Sequence, residues 1–273
     1  IPTILPEMDM KEIIETIKIY SVAGLLDGKG IITERPFRAP HHTSSDVAII
    51  GGGRIPKPGE ISLAHNGVLF LDELQEFKSN VLQVLRQPLE EGIITISRAE
   101  GNVTFLANFM FVGAMNVGKD NSDSIYSSTD IARILHKIST PFIDRIDMHI
   151  EVPRVKFQDI VENSNISKGS EYYKERIIKA REIQKERYQK LGLNIKTNSK
   201  IPANLISEIC QISESSKKLL EVVMTKFKLS MRSYHKILKI SRTIADLEGS
   251  EVIQDQHVAE AVQYRVLDKI IYS

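Results

Sequence analysis

Residues 68–73 read VLFLDE: four apolar residues, Val68 to Leu71, run directly into Asp72 and Glu73. A short, wholly apolar run is typical of a strand that is buried on both faces of a parallel sheet. Open α/β sheets bind ligands at the carboxyl ends of their strands, where this acidic pair stands. In nucleotide hydrolases such an Asp holds Mg²⁺, usually through water, and a neighbouring Glu orients the attacking water. The plainer alternative is an acidic helix cap, because such a short pattern recurs by chance.

The segments that follow this stretch predict more of an α/β domain. Apolar residues at helical spacing predict a helix next, and residues 93–97 and 103–106 predict the two strands of a hairpin. Residues 109–115 then predict a second buried strand.

The segments that precede it predict a helix and then loops. Asp9 with Glu12 predicts a helix start, because an acidic N-cap and a Glu three residues later form a capping box. The stretches at 51–53 (GGG) and 56–59 (PKPG) predict loops and no regular elements, since glycine and proline interrupt both helices and strands.

The second half of the chain predicts helices only, from about residue 169 onward. We therefore predict an α/β core at 1–155 and a helical domain at 168–273. Residues 1–167 contain 16 Lys and Arg against 22 Asp and Glu, a charge of −6, and residues 168–273 contain 20 against 13, a charge of +7. A basic helical half is typical of a nucleic-acid-facing surface, or simply of solvated helix faces.

The bulk properties exclude several classes of protein. The single cysteine, Cys210, excludes an internal disulfide framework, and its place on an apolar helical stretch predicts a buried thiol, not a nucleophile. No apolar run is long enough to cross a membrane, and the first residues lack a signal-peptide pattern. We expect a cytoplasmic protein with no membrane partner.

Two longer stretches carry a resemblance to a known family. Residues 58–67 (PGEISLAHNG) lead into the acidic strand, and residues 35–43 read RPFRAPHHT. Together they resemble the magnesium-chelatase-like AAA+ ATPases, and within them the ComM (YifB) type. The resemblance implies an αβα parallel-sheet core, incomplete at its amino end, with β-hairpin insertions and an all-helical lid. It also implies ATP and Mg²⁺ as cofactors and a hexameric ring.

The resemblance assigns roles to residues at the carboxyl ends of the strands. Asp72, holding Mg²⁺ through water, and Glu73 would be the Walker B pair. Asn116, after the strand at 109–115, matches the sensor-1 position, where an amide can hydrogen-bond both the γ-phosphate and the attacking water. Without the family context, a turn-forming Asn is the default interpretation.

Two arginines match the family's remaining catalytic positions. Arg145 matches the arginine finger, which acts on the nucleotide of a neighbouring subunit. Its alternative is an ion pair with Asp144 or Asp147. Arg232 matches sensor 2 at the start of a lid helix, and its alternative is a solvated side chain. A cation at a helix N-terminus is disfavoured by the macrodipole, which weakly favours a functional role.

Two basic loops are candidates for contact with DNA, single-stranded or branched. Arg54 and Lys57 lie on the Gly/Pro-rich stretch, and Arg98 lies at the predicted hairpin tip. In a ring both segments would face the central pore, the resemblance implies, since similar insertions in the family contact DNA, and basic residues on glycine-rich loops suit backbone phosphates. Either segment is equally typical of a plain solvent loop.

The family's phosphate-binding loop, G-x-x-x-x-G-K-[ST], has no match in these residues. Gly113 to Lys119 has the glycine and lysine spacing, but Asp120 replaces the Ser or Thr, and the segment follows the acidic strand. We reject it, and expect the sequence to begin a few residues after the loop. The chain by itself should therefore be inactive as an ATPase.

The sequence predicts no structural metal. His41 and His42 are only two ligands, short of the three or four that zinc uses, and the other histidines lack ligand spacing. The family's cysteine-rich stretch after Asn116 is also absent here.

The resemblance favours a motor that couples ATP hydrolysis to DNA remodelling, such as branch migration in natural transformation. One alternative is a chelatase-type ATPase that remodels a protein partner for magnesium insertion into a tetrapyrrole. Another is a scaffold without catalysis, which would have no need of the five residues assigned above.

Overall fold

The computed structural model describes residues 1–26, 30–98, 101–116, 138–152, 168–265 and 267, and of Arg98 the backbone alone. The chain divides into two compact units, Ile1–Arg145 and Ile146–Ser273. The segment in which we predicted the domain boundary, residues 156–167, lies outside the described residues, so that boundary stays a prediction.

A parallel three-stranded sheet forms the centre of the first unit. Its strands are β1 (Phe37–Arg38), β4 (Val68–Leu71) and β7 (Met110–Gly113), in the order β1-β4-β7. The middle strand is flanked on both edges. Its side chains alternate between the two faces of the sheet, and Val68, Leu69 and Leu71 are fully inaccessible to solvent, so both faces are covered. The predicted parallel α/β core with a buried strand at 68–71 is confirmed. The strand predicted at 109–115 is present as β7, but the expectation that it is buried is wrong, because β7 is the edge strand of the described sheet and Met110 is 49% exposed.

The described part of the first unit contains six α-helices. The first, α1, starts where Asp9 and Glu12 form the predicted capping box, each side chain accepting the other residue's backbone N–H. Two later helices follow the apolar spacing predicted after the acidic pair. The six are α1 (Met10–Ala23), α2 (Asp46–Ile50), α3 (Glu60–Leu63), α4 (Ser79–Val84), α5 (Arg86–Glu91) and α6 (Thr140–Ile143).

Two antiparallel hairpins are also present among the described residues of the first unit. The predicted hairpin is confirmed as β5 (Ile93–Arg98) paired with β6 (Gly101–Leu106). The expectation of loops alone at 51–59 is wrong, because β2 (Gly51–Gly52) pairs with β3 (Lys57–Pro58). Gly51 has φ +101°, and a Cβ there would lie 2.6 Å from the carbonyl oxygen of Lys57. Glycine therefore permits this close pairing, and a proline is tolerated in so short an edge strand.

From Ser170 onward the regular elements of the second unit are helices among its described residues, as predicted, and an isolated β-bridge joins His149 to Arg265. Its helices are α7 (Ser170–Lys190), α8 (Ile206–Ile209), α9 (Glu214–Phe227), α10 (Met231–Glu248) and α11 (Asp255–Gln263). Their apolar faces share one core, in which Cys210 is 1% exposed. Burial raises the pKa of this thiol to about 11, so it is an inert core residue as expected.

A buried ion pair fixes two helices of this unit to each other. Asp246 of α10 accepts hydrogen bonds from Arg187 of α7 and from Arg242 one turn earlier on its own helix. Asn198 adds an amide donor to the same carboxylate at 2.8 Å. The carboxylate is thus fully compensated, which a buried charge requires. No helix in the described part of the chain has the length and apolar character that a membrane span needs.

Candidate active site at the carboxyl edge of the sheet

The register of the parallel sheet brings the predicted catalytic segments together. Leu71 pairs with Gly113, so β4 and β7 end side by side. The pairing continues past both strands, because Ala114 donates its N–H to Leu71 O and Leu74 donates to Ala114 O, each at 2.9 Å. Asp72 and Glu73 therefore leave the sheet beside the segment that leads to Asn116. This edge is where open α/β sheets bind ligands.

Asp72 is suited to hold a hydrated magnesium ion. Its side chain is exposed at the end of β4, and one carboxylate oxygen accepts the N–H of Glu73 at 2.9 Å. This hydrogen bond orients the carboxylate and leaves the second oxygen for a water ligand of the ion. Oxygen donors are what Mg²⁺ prefers, and the ion commonly keeps several waters when it binds through one or two carboxylates. The residue present at this position therefore fits the ion.

Glu73 has a strained backbone. Its φ of 50° and ψ of 49° lie in the left-handed region, which costs a residue with a side chain about 1–2 kcal/mol. Glu73 connects the buried strand β4 to a 3₁₀ turn at Leu74–Glu76, and these two fixed elements impose the left-handed conformation. Strained residues of this kind cluster at functional sites. The consequence is that the carboxylates of two consecutive residues both stand at the sheet edge.

The carboxylate of Glu73 contacts a histidine from the neighbouring strand. Nδ1 of His42 lies 3.0 Å from Oε2 of Glu73, and the Glu73 side chain is 48% exposed. His42 follows β1, the strand on the other side of β4, so all three strands of the sheet contribute to this edge. Sequence reasoning missed the contact because 31 positions separate the two residues.

Asn116 is the last described residue after β7, and it is exposed. It follows the end of β7 at Gly113 by three positions, and β7 is the strand that pairs with β4 beside the acidic pair. The structure therefore brings Asp72, Glu73 and Asn116 to one edge of the sheet, and the sensor role of Asn116 stays a prediction.

Arg145 is held within the first unit. Nη2 lies 2.6 Å from Oε2 of Glu90 on α5, and Nη1 donates to the carbonyl oxygen of Pro141 at 2.6 Å. The side chain is 11% exposed, and its Nε is buried without a hydrogen-bond partner among the described residues. The alternative of an intramolecular ion pair is thus realised, although with Glu90 and not with Asp144 or Asp147. A finger role requires the arginine to leave this contact.

Arg232 belongs to the second unit. It is the second residue of α10, whose N-cap Ser230 accepts the N–H of Ser233 at 3.1 Å. The side chain is exposed, as both of its interpretations require. The structure describes this residue within its own unit, so a contact with nucleotide stays a prediction.

The predicted DNA-contacting residues lie on the two hairpins. Arg54 and Lys57 are exposed on the turn and second strand of the β2–β3 hairpin, next to Ile55, which is 78% exposed. The backbone of Arg98 pairs with Gly101 at the end of β5, and its side chain lies outside the described residues.

Several residues of the two family-like stretches have structural partners that sequence reasoning did not identify. Arg35 fixes α1 to the sheet by donating to the carbonyl oxygen of Asn66 at 2.7 Å and pairing with Glu12 at 3.1 Å. Arg38 of β1 pairs with Glu60 of α3 at 2.6 Å. These charged contacts join α1, β1, α3 and the turn before β4 to one another, so they position the acidic pair without touching it.

The turn before β4 is equally constrained. His65 is buried, its Nε2 lies 3.3 Å from a Glu15 carboxylate oxygen, and its Nδ1 accepts the Asn108 N–H at 3.0 Å. Burial lowers the pKa of His65, against the smaller raising effect of Glu15. A Cβ at Gly67 would lie 1.9 Å from the carbonyl oxygen of Pro36, so only glycine fits between β1 and β4. The sequence signal for this constrained turn was the stretch 58–67, in which His65 and Gly67 interrupt the apolar residues just before β4.

The comparisons with known proteins agree with this architecture. The family model described as magnesium chelatase, subunit ChlI, matches residues 1–160, and the model of the ChlI C-terminal region matches residues 167–265. The chain belongs to this magnesium-chelatase family. The resemblance stated from residues 35–43 and 58–73 is thereby confirmed.

Individual relatives match along nearly the whole chain. Competence protein ComM of Haemophilus influenzae is 44% identical over 272 residues, which cover 98% of this chain and 52% of that protein. The YifB proteins of Escherichia coli and Salmonella typhimurium are 37% and 36% identical, each with 53% of its length covered. The chain thus spans about half the length of the curated relatives it matches.

Proposed function

We propose that this chain is part of a ring-forming AAA+ ATPase that couples ATP hydrolysis to DNA remodelling. The observation that supports the ATPase most is the β4–β7 register, which sets Asp72 and Glu73 beside the segment ending in Asn116. In this proposal Asp72 holds hydrated Mg²⁺, Glu73 orients and polarises the attacking water, and Asn116 positions that water against the γ-phosphate. ATP and Mg²⁺ supply the phosphoryl group and the charge neutralisation when bound.

Arginines complete the proposed site. Arg145 acts on the nucleotide of the next subunit after release from Glu90, and Arg232 contacts the phosphates from the helical domain. A guanidinium finger is worth about 10³–10⁵ in turnover in related systems. A closed ring follows, because a finger supplied by a neighbour requires every site to lie between two subunits, and the family resemblance implies six subunits in that ring.

Branched or single-stranded DNA is the proposed substrate. The charge of +7 over residues 168–273 and the exposed Arg54 and Lys57 suit phosphate contacts. The name of the Haemophilus relative, a competence protein, adds support for a role in natural transformation. The specific activity we propose is branch migration during uptake of foreign DNA, which requires both DNA binding and a role in transformation.

The test is a DNA-binding and unwinding assay with the full-length protein that contains this chain. We expect ATP-dependent migration of a branched substrate, with DNA affinity falling steeply as salt rises. Lys57→Ala should reduce the slope of log affinity against log salt by about 1 if Lys57 contacts a phosphate. Lys18→Ala, an exposed lysine on α1, is the matched control. Absence of any salt-dependent DNA binding contradicts the DNA part of the proposal.

A second candidate is a chelatase-type ATPase that remodels a protein partner. The description of the matching family favours it, since that family is named for a magnesium chelatase subunit. The two candidate functions share the ATPase site and differ in the substrate of the ring, which is DNA in the first and a protein partner in the second. Association with a large protein partner that does not weaken in high salt, together with no affinity for branched DNA, would select the chelatase role.

A further inference from the structure

Two histidines and the second residue of the acidic pair form a cluster at the sheet edge. One ring nitrogen each of His41 and His42 and one carboxylate oxygen of Glu73 lie within 4.8 Å of one another. The two imidazole rings have centroids 4.2 Å apart, and Nδ1 of His41 lies 2.8 Å from the hydroxyl oxygen of Thr43. The latter contact fixes the plane of the His41 ring. Two histidines alone are too few for a metal site, but Glu73 supplies a third donor beside them.

We propose that His41, His42 and Glu73 bind a divalent first-row transition metal ion of the zinc class. Two imidazoles and one carboxylate are donors that such ions accept, with a fourth position for water. Ligand atoms about 2.0–2.1 Å from a tetrahedral zinc lie roughly 3.3 Å from each other. Nδ1 of His42 and Oε2 of Glu73 are already 3.0 Å apart. His41 and Glu73 are exposed, so an ion in solution can reach all three.

This site differs in chemistry from the magnesium position at Asp72. Magnesium prefers oxygen ligands and keeps its waters, so it does not compete well for imidazole nitrogen. The two sites are nonetheless functionally linked, because their ligands Asp72 and Glu73 are adjacent and both belong to the proposed ATPase site. A metal held by Glu73 occupies the carboxylate that would orient the attacking water. Bound zinc therefore inhibits hydrolysis, a consequence that rests on the proposed function, whereas the binding itself does not.

Cobalt binding by this chain tests the site directly. Titration with Co²⁺ alone should give a visible absorption band that saturates at one ion per chain, is displaced by Zn²⁺, and persists in a large excess of Mg²⁺. Loss of even an outer-shell partner weakens metal sites by about 10–100-fold. His41→Ala and Glu73→Gln should therefore each weaken Co²⁺ binding by at least about tenfold. His235→Ala, which removes a half-buried histidine of α10, is the matched control.

The outcomes separate a metal site from a simple hydrogen bond. No saturable Co²⁺ binding, or equal affinity in the wild type and His41→Ala, overturns the proposal. So does a loss in His235→Ala as large as that in His41→Ala. Circular dichroism of the metal-free variants checks folding, and Glu73→Gln retains the side-chain shape, so its loss of binding reports on the ligand.

The inhibitory consequence needs the full-length protein. Zn²⁺ should lower its ATP turnover, a chelator should restore it, and His41→Ala should show a smaller ratio of turnover without zinc to turnover with zinc. Unchanged wild-type turnover at zinc concentrations that saturate the site overturns the inhibition. If the protein has no turnover at all, the proposed ATPase fails while the cobalt titration still decides the metal site.

Discussion

The left-handed backbone at Glu73 predicts an inverted order of stability between two substitutions. Glu73→Ala and Glu73→Gly both remove the carboxylate and its contact with His42, so their difference reports on the backbone alone. Alanine retains the cost of a left-handed conformation, about 1–2 kcal/mol, which glycine avoids. Glycine loses about 0.4–1 kcal/mol through the greater freedom of its unfolded chain. The balance makes Glu73→Gly more stable than Glu73→Ala by about 1 kcal/mol.

The measurement is the free energy of unfolding in urea, followed by far-ultraviolet circular dichroism. Lys18, exposed in the middle of α1, provides the control, because there the usual order holds and alanine exceeds glycine by about 1 kcal/mol. The two positions should thus differ by about 2 kcal/mol in the alanine-minus-glycine difference. An alanine variant at position 73 that is as stable as the glycine variant, or more stable, would refute the strained geometry.

Three further predictions concern the framework of the site and the helical core. Gly67→Ala should lower the free energy of unfolding in urea by about 3 kcal/mol, at the upper end for overpacking, because the new methyl group meets the backbone carbonyl of Pro36. Gly30→Ala is the control: a Cβ there has nothing within 4 Å, so its free energy of unfolding should stay within about 0.5 kcal/mol of the wild type. Because burial lowers the pKa of His65, the unfolded state binds more protons below the ordinary value of 6.5. The contribution of His65 to the free energy of unfolding should hence be complete above that pH and be lost as the pH drops below it. The free energy of unfolding should therefore depend less steeply on pH in His65→Gln than in the wild type, and parallel pH profiles of the two proteins would contradict this. With its pKa at about 11, Cys210 should react with a thiol reagent at pH 8 roughly 100-fold more slowly in the folded than in the unfolded chain, and equal rates would exclude burial.

Local patterns carried most of the fold. The capping box of Asp9 and Glu12 spans three positions, and the hairpin strands at 93–98 and 101–106 adjoin in sequence, so short-range chemistry sufficed to predict them. The buried strand at 68–71 was equally predictable, because four consecutive apolar residues leave no polar face for solvent. The β2–β3 hairpin was missed because its pairing involves the backbone of glycine and proline residues, and in a sequence these residues indicate only that a helix or strand is interrupted.

Contacts between distant residues were beyond the sequence. His42 meets Glu73, and Arg145 meets Glu90 over 55 positions, through the packing of elements whose relative placement no local pattern encodes. The acidic pair itself was predictable, because its position after a buried strand is a local feature. What the structure added is that Glu73 is strained and has a histidine neighbour.

The decisive measurement of water activation at this sheet edge is ATP turnover by the full-length protein carrying Glu73→Gln. The variant should still bind Mg²⁺ and ATP with nearly wild-type affinity, because Asp72 is intact. Its turnover should fall by at least about 10²-fold, at the lower end for general acid–base and water-positioning groups. Asp72→Asn should instead weaken the magnesium dependence. Hydrolysis by Glu73→Gln at the wild-type rate would contradict the assignment of water activation to this edge of the sheet.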